Sequence, residues 1–158
     1  MKSFLVISDT HGPASYEISR LVHIMNTCDF VVHLGDGAND LTPFKDDISC
    51  EVYAVKGNCD FSRKEKELII PTDAGKVLFT HGDSYGVKSG DYLSLSYRAK
   101  ELDCNYVFFG HTHVPEETEY AGVTLVNPGS LGKPRFGAPS YCICYIVKNK
   151  IITKIVSF

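Results

Sequence analysis

The chain has 158 residues, of which 44% are hydrophobic and 22% are charged, and its formal net charge is −3. This length and mixture predict one globular domain, residues 1–158, with a sizeable core. The negative balance and the lack of a long basic run argue against a protein that holds nucleic acid or an anionic membrane surface with its own cations. An anionic substrate stays possible, because bound divalent cations would reverse the charge at one site.

The cysteines and the N-terminus indicate a reducing compartment. There are six cysteines, none of them in a CxxC pair, and most lie in or beside apolar runs, where a free thiol behaves as a small hydrophobe. The apolar part of the N-terminal stretch is too short for a signal peptide, and no stretch reaches transmembrane length. We therefore expect a cytoplasmic protein without membrane contact.

The first third of the chain predicts a parallel α/β layer. Apolar runs at 4–7, 30–34 and 52–55 are typical of buried strands, and apolar residues at helical spacing predict a helix over about 15–26. Each strand ends at a loop that contains glycine and a polar residue. Ligands of open α/β sheets bind beyond the carboxyl ends of the strands, so these loops are candidate site loops.

The rest of the chain adds a helix and several more strands. Helical spacing predicts the second helix over 92–102, and the predicted strands are 67–71, 76–80, 106–109, 116–120, 123–126, 141–147 and 151–156. Short turns between successive strands favour a second, mostly antiparallel sheet. The expected fold is α/β: a layered α/β/β/α sandwich of two mixed sheets flanked by helices.

Seven candidate metal ligands stand at five predicted strand ends. They are Asp9, His11, Asp36, Asn58, His81, His111 and His113. Four imidazoles, two carboxylates and one amide oxygen are too many for one divalent ion, and they suffice for two if one carboxylate bridges. Mixed nitrogen and oxygen donors suit Mn, Fe, Zn, Ni or Co better than Ca or Mg, which prefer oxygen.

The order of these motifs carries a family resemblance. The motifs are Asp9-x-His11, Gly35-Asp36, Gly57-Asn58, His81-Gly82 and Gly110-His111-Thr112-His113. In this order they resemble the calcineurin-like metallophosphoesterases. The short length, Cys59-Asp60 after the Gly-Asn pair, and the 127–130 turn followed by Pro134-Arg135 resemble the small YfcE-type phosphodiesterase branch.

The resemblance implies a role for each candidate ligand. Asp9, His11 and His113 would bind one ion, Asn58, His81 and His111 would bind the second, and Asp36 would bridge both. It implies two divalent ions, with Mn²⁺ favoured and Ni²⁺, Co²⁺, Fe²⁺ or Zn²⁺ possible. A metal-bridging hydroxide would then hydrolyse a small phosphodiester substrate. The implied catalytic residues are Asp36, Asn58, His81 and His111, and the implied substrate contacts are Asn58, Cys59 and Arg135.

Two positions depart from the wider superfamily. Cys59 stands where many members have a histidine, and a thiol is a poor proton donor to an alkoxide leaving group. The small branch shares this cysteine and tends to hydrolyse diesters, so Cys59 favours a diesterase over a monoesterase. Asp83 stands where relatives often have histidine, and its effect on substrate choice stays open.

Some candidates also have ordinary structural interpretations. His33 is expected to be a structural residue or to contact a metal ligand without binding the metal itself. Asp9 could cap a helix, Cys59 could be a buried thiol, and residues 127–130 could be a turn only.

Two alternative functions remain open. The first is a scaffold or interaction module, because the retromer small subunit has this fold and a similar length, although its set of active-site residues is altered. The second is a metal-dependent nuclease, which the net charge and the lack of an accessory domain count against. We expect no stable binding of nucleic acid, and relatives of this size suggest a homodimer or homotetramer.

Overall fold

The structure, a computed structural model, describes residues 2–158. Met1, the first residue of the predicted domain, lies outside this range. The strands are β1 (Lys2–Ile7), β2 (Phe30–His33), β3 (Glu51–Ala54), β4 (Glu67–Thr72), β5 (Gly75–Thr80), β6 (Cys104–Phe108), β7 (Pro115–Tyr120), β8 (Val123–Pro128), β9 (Ser140–Val147) and β10 (Lys150–Ser157). The helices are α1 (Ser15–Met25) and α2 (Leu93–Glu101).

The strands form two five-stranded sheets, and both sheets are mixed. The first has the order β10-β9-β1-β2-β3 and the second has the order β4-β5-β6-β8-β7. In the first, β1, β2 and β3 are parallel to one another, β9 is antiparallel to β1, and β10 is antiparallel to β9. In the second, β6 is parallel to both neighbours, and the outer strands are antiparallel.

The expectation of a mostly antiparallel second sheet was therefore wrong in its pairing. The chain passes through α2 between β5 and β6, and such a crossover returns the next strand in the parallel direction. The last hairpin does not join the second sheet, because β9 pairs with β1 along Lys2–Val6. β1 thus has a partner on each side, which fits its continuous run of buried apolar residues.

Three apolar clusters define the layers α/β/β/α, as expected from the sequence. The cluster between the sheets contains stacked and edge-on rings of Phe4, Phe30, Phe79 and Phe108. Two further clusters lie on the outer faces of the sheets. One holds α1 through Ile18, Leu21 and Met25, and the other holds α2 through Leu95 and Ala99.

Two further features concern a cysteine pair on one strand and the lengths of the helices. Cys142 and Cys144 alternate in β9 and share its buried inner face, with their Sγ atoms 3.6 Å apart. None of the helices between residues 2 and 158 is long and apolar enough to cross a membrane.

Candidate metal centre

The predicted ligands all lie beyond the carboxyl ends of strands that meet at one end of the sandwich. Asp9 and His11 follow β1, Asp36 follows β2, Asn58 follows β3, His81 follows β5, and His111 and His113 follow β6. Backbone hydrogen bonds continue past the strands and tie these loops together. The N–H of Asp9 donates to Gly35 O, and the N–H of Gly110 donates to His81 O, both at 3.0 Å.

The backbone at this end adopts unusual conformations. Five of the seven predicted ligands have positive φ angles, namely Asp9 (54°), His11 (50°), Asp36 (54°), His111 (68°) and His113 (61°). Residues other than glycine rarely adopt this left-handed region, and such strain concentrates at functional sites. The surrounding hydrogen bonds therefore hold these side chains in directions that a relaxed loop would not give them.

Two glycines let neighbouring loops approach the carboxylates closely. A Cβ atom on Gly57 would lie 2.1 Å from Oδ1 of Asp36. A Cβ atom on Gly110 would lie 2.1 Å from Oγ of Ser8 and 2.7 Å from Oδ2 of Asp9. Both glycines are therefore required for the close packing around the acids.

One group of ligand atoms combines Asp9, His11 and His113. Asp9 Oδ1 lies 3.1 Å from His113 Nε2 and 3.7 Å from His11 Nε2. The two Nε2 atoms are 3.2 Å apart. One carboxylate oxygen and two imidazole nitrogens thus point at a common centre and could hold a metal ion.

A second group combines Asp36, Asn58, His81 and His111. The Nε2 atom of His81 lies 3.3 Å from Asp36 Oδ2, 3.1 Å from His111 Nδ1 and 3.2 Å from Asn58 Oδ1. These four atoms form a second centre with the mixed oxygen and nitrogen donors that transition metals accept.

Asp36 lies between the two groups. Its Oδ2 is 3.3 Å from His81 Nε2 in one group and 3.8 Å from His11 Nε2 in the other. Its Oδ1 accepts a hydrogen bond from the N–H of Cys59 at 2.8 Å. This is the position expected of the bridging carboxylate.

The hydrogen bonds within residues 2–158 leave one oxygen of the Asp9 carboxylate without a partner. Asp9 Oδ2 accepts hydrogen bonds from Ser8 Oγ at 2.5 Å and from the N–H of His111 at 3.0 Å. Asp9 Oδ1 is buried and has no hydrogen-bond partner among residues 2–158. Burial without a partner is costly for a carboxylate oxygen. A cation among Oδ1 and the imidazoles would satisfy it, so the donor set fits divalent metal ions.

The electrostatics of the carboxylates favour their ionised forms. Burial acts to raise the pKa of Asp9, but in the metal-free protein the nearby rings of His11 and His113 and the charge of His81 hold that pKa well below its usual range. Burial opposes ionisation of Asp36 as well, yet His81 and the N–H of Cys59 lower its pKa to about 2. Both acids are therefore anionic at neutral pH, as metal ligands must be.

Two of the imidazoles have their tautomers fixed by backbone carbonyls. His81 Nδ1 lies 2.9 Å from Leu34 O, and His113 Nδ1 lies 2.7 Å from Lys133 O. A carbonyl oxygen only accepts, so each Nδ1 carries a proton, and each Nε2 can present a lone pair to a metal ion once it is itself deprotonated. Such contacts orient metal-binding histidines.

Asp60 organises the loops after β2 and β3, and the sequence analysis missed this role. Its Oδ1 accepts from the N–H groups of Gly37 and Ala38, and its Oδ2 accepts from those of Asp36 and Gly57, at 2.8–3.1 Å. Burial acts to raise its pKa, but the four donors outweigh this and lower it. The signal in the sequence was an acidic residue two positions after Asn58.

His33 supports the site without belonging to either group of ligand atoms. Its Nδ1 accepts from the N–H of Gly35 at 3.0 Å, so its Nε2 carries the proton and donates to Thr10 Oγ1 at 2.9 Å. Thr10 in turn donates to Asp40 Oδ2. Complete burial lowers the pKa of His33 to about 4, which keeps the ring neutral. This agrees with its expected structural role.

The segment 127–130 does more than turn the chain. Asn127 and Pro128 are the last residues of β8, and the buried Asn127 Nδ2 donates to Gly110 O and Thr112 Oγ1, both at 3.0 Å. Ser130 Oγ donates to Asp9 O at 2.7 Å. These bonds hold the loops that carry Asp9 and the two histidines after β6. A polar residue at a strand end was again the available signal.

The predicted substrate contacts lie around the ligand groups. The Sγ atom of Cys59 belongs to a set with ligand atoms of His11 and Asp36, all within 4.8 Å of one another. Cys59 is exposed rather than buried, which rules out the buried-thiol interpretation. Asn58 is exposed beside it, and Arg135 lines a cavity next to His111 and His113. Asp83 lies 3.9 Å from Lys66 Nζ.

Two curated proteins are similar to this chain along most of its length. The Bacillus subtilis (strain 168) protein named "Probable metallophosphoesterase YsnB" is 36% identical over 134 residues, covering 83% of this chain and 76% of that protein. The Escherichia coli (strain K12) protein "Phosphodiesterase YfcE" is 26% identical over 165 residues, covering 89% of this chain and 85% of that protein.

A solved structure and a family description agree with the fold. Vps29 from Entamoeba histolytica, solved in complex with Zn²⁺, superimposes with a TM-score of 0.74 at 22% identity, covering 98% of each chain. The description "Calcineurin-like phosphoesterase superfamily domain" matches residues 1–149. The chain therefore belongs to the calcineurin-like phosphoesterase superfamily, as its strand-end motifs suggested.

Proposed function

We propose that this chain is a phosphodiesterase that requires two divalent metal ions. The observation that carries the proposal is the convergence of seven donor side chains from five strand ends into two adjoining groups, one of which contains a buried Asp9 oxygen without a hydrogen-bond partner among residues 2–158. One ion would be held by Asp9, His11 and His113, and the other by Asn58, His81 and His111, with Asp36 shared. We propose Mn²⁺ as the activating metal in vitro.

The ions would supply Lewis acidity, which lowers the pKa of water and neutralises phosphoryl oxygens. The chain itself would supply orientation. His81 and His113 are held by carbonyl oxygens, and Asp36 is held by the N–H of Cys59. Asn58 is exposed at the edge of the ligand groups, where its amide can donate to a phosphoryl oxygen while its Oδ1 faces His81.

Cys59 supports hydrolysis of diesters rather than monoesters. In the metal-free protein, slight desolvation and the neighbouring Asp36 raise the pKa of this exposed thiol, so the side chain is neutral at physiological pH. A neutral thiol neither attracts the second negative charge of a phosphomonoester nor protonates a poor leaving group effectively. The similarity to a relative named phosphodiesterase points in the same direction.

The test compares bis(p-nitrophenyl) phosphate with p-nitrophenyl phosphate on metal-stripped protein after Mn²⁺ is added back. We expect the diester to be cleaved much faster than the monoester. Asp36→Asn should lower kcat at least about a hundredfold, because losing even an outer partner of a metal ligand costs about 10–100-fold. Asp46→Asn, an exposed acid on the loop after β2, is the matched control and should retain full activity.

Metal content gives a second measurement that does not depend on turnover. Metal analysis after dialysis should find two Mn²⁺ ions per wild-type chain and fewer in Asp36→Asn. A single ion in a fully active enzyme would contradict the two-metal proposal. Full activity of Asp36→Asn would contradict the role given to this carboxylate.

The scaffold alternative makes the opposite prediction. The likeness to Vps29 concerns the fold, whereas the intact ligand set favours an enzyme. Absence of cleavage with Mn²⁺, Ni²⁺, Co²⁺, Fe²⁺ and Zn²⁺ would overturn the phosphodiesterase proposal and bring the scaffold forward.

A further inference from the structure

Beside the two ligand groups lies a small open cavity of about 190 Å³. Its lining residues are Lys88, His111, Thr112, His113 and Arg135. None of them is acidic, and the carboxylates Asp9 and Asp36 do not line it. The cavity therefore borders the candidate metal centre, which it shares through His111 and His113.

The two cations of this cavity lack acidic partners. Within residues 2–158, neither Lys88 nor Arg135 forms an ion pair, although other basic side chains such as Arg98 do. Two like charges that flank one small space repel each other, and two metal ions nearby would increase that repulsion. An anion in the cavity would relieve it.

The local structure holds both cations at the cavity. Lys88 lies in a single 3₁₀ turn (Val87–Ser89), which is anchored by the buried Val87 in the cluster around α2. The N–H of Arg135 donates to His113 O at 3.2 Å, which fixes its backbone beside the ligand loop.

A third donor completes the cavity. His111 directs Nδ1 at His81 Nε2, 3.1 Å away, so a metal-bound His111 would carry its proton on Nε2. In the described part of the chain, this Nε2 has no hydrogen-bond partner. An ammonium group, a guanidinium group and an imidazole N–H around one space match the oxygens of a phosphoryl group.

We propose that Lys88 and Arg135 bind a second, non-scissile phosphoryl group of the substrate. The proposal rests on the phosphodiesterase function and narrows it to diesters that carry an additional phosphate, such as a phosphorylated nucleotide diester. The scissile phosphate would lie against the metal ligands, whose ions neutralise its oxygens, and the extra phosphate would occupy the neighbouring cavity.

Two substrates that differ only in the extra phosphate provide the test. They are thymidine 5′-(p-nitrophenyl phosphate) and the same compound with a 3′-phosphate. The Mn²⁺-loaded wild type should show a kcat/KM about tenfold or more higher for the 3′-phosphorylated substrate, mainly through KM. Lys88→Gln and Arg135→Gln should each lose most of this preference, and Lys88→Gln should keep kcat/KM for the unphosphorylated substrate within about twofold.

Lys150→Gln is the matched control, because it removes the same charge from an exposed lysine at the opposite end of the first sheet. It should keep the full preference. Equal cleavage of both substrates by the wild type, or an unchanged preference in Lys88→Gln and Arg135→Gln, would overturn the cavity proposal while the phosphodiesterase stands.

Binding without turnover separates this proposal from the proposed function. Calorimetry on metal-free protein should show tighter binding of thymidine 3′,5′-bisphosphate than of thymidine 5′-phosphate, and Lys88→Gln should remove the difference. If no diester is cleaved with any metal but this binding difference persists, the cavity proposal stands and the phosphodiesterase fails. If the two nucleotides bind equally, the cavity proposal fails.

Discussion

The two sheets contribute chemically different ligands to the same site. The loops of the first sheet carry Asp9, His11, Asp36 and Asn58, and those of the second carry His81, His111 and His113. All the oxygen donors thus come from one sheet, and three of the four imidazoles come from the other. Neither sheet alone offers a complete set, so the site exists only when the inner faces of the sheets are packed together.

The two halves are also held in different ways. The first sheet's loops are held by a local network, in which Asp60 and His33 bind backbone and side-chain groups of adjacent loops. In the second sheet, the His81 ring instead bonds across the interface between the sheets, to Leu34 O of the first sheet. Packing between the sheets should therefore control metal affinity, while the local network should control the positions of the ligand loops of the first sheet.

The largest effect is expected from breaking the packing between the sheets. Phe79 is fully buried on β5, and its ring is stacked on Phe108 and edge-on to Phe4. Phe79→Ala should lower the free energy of unfolding by about 3–5 kcal/mol through lost transfer energy and a cavity. Because binding needs both halves, Mn²⁺ affinity should fall as well. Urea unfolding with and without Mn²⁺ measures both effects.

Phe136→Ala supplies the control for this prediction, because that phenylalanine is 69% exposed. It should change the free energy of unfolding by less than about 0.5 kcal/mol. Unchanged Mn²⁺ affinity in a clearly destabilised Phe79→Ala protein would contradict the idea that sheet packing assembles the site.

The next effect is pH-dependent and concerns the first sheet. The pKa of His33 is about 4 in the folded protein, against an ordinary value of 6.5, because burial disfavours the charged ring. As the pH falls, His33 is protonated in the unfolded chain before it is protonated in the folded protein. The contribution of His33 to the free energy of unfolding is therefore complete above pH 6.5 and is lost as the pH drops from there to 4. The complete loss amounts to about 3 kcal/mol.

His33→Gln isolates this contribution from the other titrating histidines. In urea unfolding of metal-free protein, the variant should be less stable than the wild type at pH 7.5, because it loses hydrogen bonds. The difference should shrink as the pH falls towards 4, since the variant has no ring to protonate there. A difference that stays constant with pH would show that His33 is not buried in its neutral form.

A smaller loss of stability and activity is expected from disturbing the ligand loops after β2 and β3 of the first sheet. Asp60→Asn replaces one carboxylate oxygen by an NH₂ group, so two of the four backbone N–H donors lose their acceptor. The expected cost in the free energy of unfolding is about 1–3 kcal/mol. Diesterase kcat should fall about 10–100-fold, because Asp36 loses its support. Asp46→Asn should change neither quantity.

The sequence predicted what depends on residue type at strand ends. A ligand-type residue within two positions of the end of a predicted strand identified Asp9, Asp36 and His81, because the carboxyl ends of strands in a layered sheet meet at one edge. The layer order followed from hydrophobic periodicity, which depends on local spacing. Both signals are local, so they can be read from one chain.

The pairing of β9 with β1 and the role of Asp60 could not be read in the same way. Strand pairing is a long-range choice, and β9 is as apolar as the strands of either sheet. Asp60 differs from any loop aspartate only through four N–H groups that converge after folding. Left-handed φ values at His11, His111 and His113 likewise depend on loop contacts, since histidine tolerates this region better than most residues but seldom adopts it.

The smallest effect should come from a charged network outside the site. Arg98 of α2 binds Glu67 of β4 through Nη2–Oε2 at 2.8 Å, but its side chain is 36% exposed. Arg98→Met should therefore lower the free energy of unfolding only slightly, because solvent screens an exposed ion pair. Because Arg98 lowers the pKa of Glu67 below the ordinary 4.5, the pair stabilises the fold above that pH and loses its effect as the pH falls through the lowered pKa. Mn²⁺ affinity and diester cleavage at pH 7.5 should match those of the wild type. A loss of metal affinity in Arg98→Met would mean that the outer edge of the second sheet, and not only its inner face, controls the position of its histidines.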